Sequence, residues 1–236
     1  MNKGKIYCIG VGPGDPELIT LKAARIIAEA DIIAYPYSDD KSELCAALEI
    51  AKKACAEVAG KEKLALHIPM AHDPVARLEN YRKAAAEIDK CLAAGKTVAY
   101  LTLGDPAVYC TYAEIGAALA ESGYETEYVP GVPSFCAVAA RLGIPLATGS
   151  ETLAIIPAVY GKPAWTGADN AIYMKAASKM PELKAILAES GAEVHAVSNC
   201  GMPGEAVYDD VVAIPDDAGY FTVVVAKKKG ENDADK

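Results

Sequence analysis

The chain has 236 residues, 52% hydrophobic and 23% charged, which is enough for one large or two modest domains with real cores. A net charge of -9 argues against general nucleic-acid binding, which needs Lys and Arg to neutralise phosphates, and against docking on anionic membranes. No run approaches the ~18 to 20 apolar residues of a membrane span, and the apolar run from Ile6 to Ile9 is too short for a secretory leader. Seven scattered cysteines with no C-x-x-C pair suit reduced thiols in a cytoplasm better than a disulfide framework or a protein-held metal.

Ile6-Tyr-Cys-Ile9 reads as a short strand. It leads into Gly10-Val-Gly-Pro-Gly-Asp-Pro-Glu17 and a helix to about Ala30, with Asp15 as N-cap and Pro16 at the first helical position. Asp31 to Tyr35 is the next strand, ended by Pro36, and Glu43 to Glu57 has the content of a helix. Leu64 to Ile68 reads as a strand. Asp73 and Pro74 open a third helix that closes at Gly95. Thr97 to Leu103 is β-branched, aromatic or apolar without helical period, as in a strand buried on both faces. It stops at Gly104, where Asp105 and Pro106 are placed to start a helix ending near Gly123. The alternation predicts a mostly parallel sheet with helices on both faces.

Glu125 to Val129 is a further strand, leading through Pro130-Gly-Val-Pro-Ser-Phe135 into a helix from about Pro133 to Leu142. Strands follow at about Thr152 to Ile156, Ala171 to Lys175 and Glu193 to Ser198, with a helix from Pro181 to Glu189 and a closing strand from Tyr220 to Ala226. Fewer helices per strand imply a mixed sheet in this half. The expected organisation is an α/β chain of two domains, 1–115 and 116–228, with a polar tail at 229–236.

Three turns stand out: Gly12-Pro-Gly-Asp-Pro16, Gly104-Asp-Pro106 and Pro130-Gly-Val-Pro-Ser134. Each places glycine where a strand gives way to a helix, so a ligand can approach the backbone and amides can act as donors. G-x-G-x-x-G and G-x-x-x-x-G-K-[ST] are both absent, which removes the usual support for NAD or P-loop nucleotide binding.

These turns, in this order and with Met174-Lys175 ending a later strand, resemble those of the tetrapyrrole methylases, S-adenosylmethionine-dependent enzymes of corrin and sirohaem biosynthesis. The likeness runs from Gly4 to about Ala226. Tyr109-Cys-Thr-Tyr112, Gly149 to Pro157 and Tyr220-Phe-Thr222 look most like the subfamily that methylates C-20 of precorrin-2 or cobalt-factor II. The resemblance implies a cofactor cleft between two α/β domains, a homodimer and S-adenosylhomocysteine as product. It implies that Pro13, Leu103, Gly104, Asp105, Val108, Pro133, Ser134 and Met174 face the cofactor, that Cys200 and Gly201 in the Asn199 to Gly201 loop supply a backbone contact, and that Thr111 and Tyr112 line the same region. The alternatives within this reading are methylation at C-11 or C-17, or a binding module that lost the chemistry.

The related uroporphyrinogen methylases have an aspartate, thought to take a proton, where this chain has Pro36. Asp105 is then the nearest motif carboxylate, either a helix cap or a catalytic base. Tyr109 and Tyr112 orient substrate or only pack. Arg77 and Arg82 are candidates to meet the carboxylates of a tetrapyrrole, or else solvated helix charges. His67 and His72 lack metal-ligand spacing and read as structural or surface residues.

Overall fold

The computed structural model describes residues 3–38, 45–69, 73–158, 164–165 and 167–228. His72, part of the expected helix from Glu43 and the 229–236 tail fall outside them. The chain divides into two units, Met1–Pro133 and Ser134–Lys236.

In the first unit, period-two alternation on both faces makes five strands the centre of the structure. These are β1 (Lys5–Gly10), β2 (Ile32–Tyr37), β3 (Glu62–His67), β4 (Thr97–Thr102) and β5 (Thr126–Val129). Their order is β3-β2-β4-β1-β5, and every pairing is parallel. Ile9, Ile33, Ala99 and Leu101 point to one face and pack with Ile26, Ile27, Leu48 and Ile50 of helices α1 (Leu21–Glu29) and α2 (Ala46–Ala54). Ile6, Ile32, Val98 and Tyr100 point to the other and pack with Tyr81, Ile88, Tyr112 and Ile115 of α3 (Pro74–Ala93) and α4 (Tyr112–Glu121). Strands buried on both faces need no polar side, which is why they read as continuous apolar runs.

Several element ends differ from the sequence expectation. Asp15 accepts from the Glu17 amide, but it caps only a 3-10 turn over Pro16–Leu18; α1 opens six residues on, where the Thr20 hydroxyl accepts from the Ala23 amide. No helix starts at Pro106 either. Residues 105–111 form an irregular loop in which Tyr109 takes a φ of 50°, incompatible with a helical turn, and α4 begins at Tyr112. Pro36 lies inside β2, opposite Leu66 of β3. It is tolerated because β2 pairs with β4 only over Ile32 to Ala34, so no ladder partner needs its missing amide. The division falls at 133/134 rather than 115/116, because β5 closes the first sheet against β1 and keeps α4 with it. By contrast Asp73 caps α3, accepting from the Ala76 amide, and Gly95, at φ 78°, follows its end.

The second unit is built on a mixed sheet of β6 (Leu153–Pro157), β7 (Asn170–Met174), β8 (Glu193–Ser198), β9 (Ala206–Tyr208) and β10 (Thr222–Lys227), ordered β6-β7-β10-β8-β9. Only β6 and β7 are parallel. Tyr173, Val194, Ala196 and Val224 form one face with Met180, Leu183 and Leu187 of α6 (Met180–Ser190). The helix α5 (Ser134–Leu142) lies against β8 and β10. The short β9 was not anticipated, since Ala206-Val-Tyr208 is too brief to show a period.

Candidate functional site

In the first unit the loop after β1 leads to α1 on one face of the sheet, and the loop after the neighbouring β4 leads to α4 on the other. Adjacent strands whose connections leave to opposite faces open a crevice beyond their carboxyl ends, the usual ligand position in such sheets. Here the two loops are joined across that point. The Gly12 amide donates to the Gly104 carbonyl at 3.3 Å and the Gly104 amide to the Gly12 carbonyl at 2.8 Å.

The third turn is drawn to the same place. A Cβ on Gly10 would lie 2.5 Å from the Gly104 carbonyl oxygen and 2.8 Å from the Gly131 nitrogen, and one on Gly131 would collide with the Gly104 carbonyl. Only glycine fits where three backbones approach this closely. Asp105 fastens them: Oδ2 accepts from the Gly131 amide at 2.9 Å and Oδ1 from the Ala107 amide at 2.8 Å. The Thr20 hydroxyl that caps α1 also donates to the Pro130 carbonyl at 3.4 Å. So the expected helix cap at Asp105 is a tie between two loops.

This corrects the expected use of the amides. Those of Val11, Gly12, Gly104, Ala107 and Gly131 are all taken up within the protein, by Thr102, Gly104, Gly12 and Asp105. These five amides, already engaged and with a carboxylate among them, do not form the donor nest that cradles phosphate. This edge suits a ligand without phosphate that carries positive charge.

Leu103 and Val108 are half-buried beside this junction in sequence, Pro13 is buried, and Tyr109 and Thr111 are exposed. Tyr112 does not join them. It is fully buried, its ring centroid 4.7 Å from that of Tyr100 and its hydroxyl 2.8 Å from Thr126 Oγ1, so packing is its role. Behind the junction, Cys110 donates to Thr102 Oγ1, and its hydrogen bond with Cys8 together with burial pushes the Cys8 thiol far up, which disfavours its thiolate. Arg77 and Arg82 are five residues apart on α3, about 140° around the helix, and face different directions. Arg77 is half-buried in the second turn, near the carboxyl edge where α3 begins; Arg82 is exposed. His67 ends β3 with its ring centroid 5.0 Å from that of Tyr37.

In the second unit Met174 ends β7 opposite Val223, and Ser198 ends β8 opposite Thr222, their hydroxyls 2.7 Å apart. The residues that follow, Lys175 at φ 58° and Asn199 at φ 51°, adopt a left-handed backbone that non-glycine residues rarely take. The Lys175 ammonium lies 6.0 Å from the Tyr220 ring centroid, and the Asn199 amide donates to the Phe221 carbonyl at 3.0 Å. Met174, Cys200 and Gly201 therefore share one edge of the second sheet. The loop carrying Cys200 and Gly201 is held by Glu205, which accepts from the Gly201 amide at 2.8 Å and pairs with Arg141 of α5 at 2.5 Å. These donors, the amide first, hold the Glu205 carboxyl below its ordinary range. Pro133 and Ser134 stand at the start of α5. Among the described residues no group of three or more His, Cys, Asp or Glu gathers as metal ligands, and no helix is long and apolar enough to cross a membrane.

Residues 5–214 match the family model of the tetrapyrrole (corrin/porphyrin) methylases. The chain is 33% identical over 238 residues to a cobalt-precorrin-2 C(20)-methyltransferase of Salmonella typhimurium, covering 97% of this chain and 98% of that one. Among solved structures it resembles a uroporphyrin-III C-methyltransferase from Thermus thermophilus, with a TM-score of 0.70 and 25% identity over 95% of this chain and 92% of that chain. It also shares the fold of a uroporphyrin-III C-methyltransferase from Thermus thermophilus complexed with S-adenosylhomocysteine, with a TM-score of 0.69 and 20% identity over 95% and 97% of the two chains.

Proposed function

The chain belongs to the tetrapyrrole methylases, and from that premise we propose that it transfers a methyl group from S-adenosylmethionine to C-20 of precorrin-2 or its cobalt complex in corrin biosynthesis. The observation that carries this reading is the close junction of Gly10, Gly12, Gly104 and Gly131, where the amides of Gly12, Gly104 and Gly131 are engaged within the protein and the Asp105 carboxylate ties the loops. A sulfonium cofactor is cationic at the reacting centre and has no phosphate, so it fits the junction where a dinucleotide would not. The Salmonella typhimurium relative gives the ring position, and the cofactor complex of a fold neighbour supports the cofactor.

The chemistry supplied by bound S-adenosylmethionine is an already activated methyl, displaced onto a nucleophilic ring carbon with S-adenosylhomocysteine as product and loss of the proton that carbon carried. The chain's own work is alignment and exclusion of water. In the first unit Leu103 and Val108 supply apolar surface beside the glycine junction, and Asp105 fixes the loops that present it. With both oxygens accepting from amides, Asp105 acts here as a structural tie. From the second unit Ser134, Met174, Cys200 and Gly201 are assigned to the cofactor by their match to the family's motifs. Arg77, at the carboxyl edge, is better placed than Arg82 to meet a ring carboxylate. Seven cysteines, none joined in a disulfide, support a reducing cytoplasm, and the family resemblance supports a homodimer.

Incubation of the purified chain with labelled S-adenosylmethionine and metal-free or cobalt-loaded precorrin-2 tests the reading. One methyl on C-20, with Arg77→Ala raising KM for the tetrapyrrole more than Arg82→Ala, is the expected result. Methylation at another ring carbon, or cofactor binding with no turnover on either substrate, overturns it.

A further inference from the structure

The Asn199 to Gly204 loop follows an improbable path. Asn199, Gly201 and Gly204 have φ of 51°, 72° and 81°, three left-handed positions within six residues. Internal bonds account for part of it: the Asn199 side-chain amide donates to the Gly204 carbonyl at 3.2 Å and the Met202 amide to the Asn199 carbonyl at 2.8 Å. The longest-range tie is the Glu205 carboxylate, which reaches back to the Gly201 amide with one oxygen and to Arg141 Nε with the other. Arg141 lies in the last turn of α5, sixty-four residues away in sequence, and α5 is fixed by packing on β8 and β10. Charge-assisted bonds from a carboxylate to an amide and a guanidinium are the strong kind.

We propose that Glu205 and Arg141 are positioning residues for the methyl donor: the pair holds Gly201 in its left-handed conformation and with it the Cys200-Gly201 backbone, and so sets cofactor affinity without touching the cofactor. This rests on the proposed function, which assigns Cys200 and Gly201 to that ligand. It also fixes the kind of contact. Because its amide is given to Glu205, the polar group Gly201 has left to offer is its carbonyl, so the ligand group met there is a hydrogen-bond donor, such as an adenine amino, a ribose hydroxyl or an amino-acid ammonium, rather than a carboxylate.

The test is calorimetric titration of the full-length chain with S-adenosylhomocysteine, paired with steady-state kinetics at varied S-adenosylmethionine. Glu205→Ala is expected to raise Kd and the cofactor KM about tenfold, with kcat at saturating cofactor within about twofold. Glu205→Gln should recover part of this, since its amide oxygen still accepts from Gly201, and Arg141→Ala should fall between them. Lys184→Ala is the control. It breaks a different tie of the same unit, from Lys184 to the Ile214 carbonyl and Asp216, each at 2.6 Å. It should lower the melting temperature and leave Kd alone. If Glu205→Ala does not fold, Glu205→Gln and Arg141→Ala carry the measurement. A wild type that binds tightly with Glu205 and Arg141 variants unchanged in Kd, or an equal change in Lys184→Ala, overturns the positioning role alone. A wild type that does not bind S-adenosylhomocysteine overturns the proposed function and this inference with it.

Discussion

In the first unit the carboxyl edge is backbone packed on backbone: Gly12 and Gly104 exchange amide bonds, and Gly10 and Gly131 come too close for any Cβ. In the second unit the corresponding edge is held by side chains. Glu205 and Arg141 clamp one loop, and Lys175 and Asn199 take left-handed backbones without being glycine. The difference has a physical root. An all-parallel sheet covered on both faces brings its strand ends close enough for backbone to bond to backbone, with the Asp105 carboxylate drawn in between the loops. A mixed sheet with fewer covering helices leaves its loops wet, and charged ties with adjustable side chains do the ordering. The first edge should therefore be intolerant of added volume, and the second should loosen when its carboxylates are protonated.

Volume gives the largest expected effect. Gly131→Ala puts a methyl against the Gly104 carbonyl, where no side chain can rotate away, and should cost about 3 kcal/mol, the upper end of overpacking. Denaturant melts followed by backbone circular dichroism would show it. The single tryptophan, Trp165, packs on the second unit's core, so its fluorescence reports that unit separately. A Gly131→Ala loss near zero would break the contrast.

Asp105 comes next. Alanine strands the Gly131 and Ala107 amides at about 2 kcal/mol, whereas asparagine keeps one oxygen acceptor and should lose about half of that. Cofactor binding and turnover should follow the same order. An asparagine variant that is stable, binds S-adenosylhomocysteine and does not turn over would instead make Asp105 the proton acceptor.

Acid gives the smallest effect, read in the second unit. The Thr148 amide lowers Glu151 and the Thr152 amide and hydroxyl lower Asp169, while the Gly201 amide and Arg141 lower Glu205. A carboxyl whose folded pKa is depressed contributes stability above its unfolded value, near pH 4, and loses it as pH falls through the folded value. The Trp165 urea midpoint should therefore drop between about pH 5 and about pH 3. Glu151 and Glu205 are exposed and Asp169 is half-buried, so solvent screening keeps the drop modest, and Asp169→Asn should flatten it. A midpoint that rises on acidification would contradict these ties.

What could be read in the sequence was local. The strand at Thr97 to Thr102 announced itself by composition, and α3 by Asp73-Pro74 before it and Gly95 after it, because caps act within one turn. The three glycine turns were visible one by one. What no spacing reveals is which group a polar side chain chooses when a distant partner competes with the nearest amide. Asp105 precedes a proline as Asp73 does, yet it binds Gly131, because β5 delivers that amide beside β4's loop through β1. Thr20 displaced Asp15 as the cap of α1 for a similar reason: the Pro130 carbonyl fixes its hydroxyl. Arg141 was legible only as one of four arginines, and Glu205 not at all.

The position of β1 also dictates when the site can exist during synthesis. Its neighbours are β4, with Lys5 opposite Thr97, and β5, with Ile6 opposite Thr126. While β2 and β3 can zip together soon after they emerge, the first strand made must wait for nearly the whole unit before either side is hydrogen-bonded. Distant pairing of this kind is slow, and it leaves Ile6, Cys8 and Ile9 uncovered in the nascent chain. The glycine junction, which needs residues 10, 104 and 131 together, is thus among the last features of its unit to form. A ribosome-bound chain shorter than that should hold the methyl donor not at all.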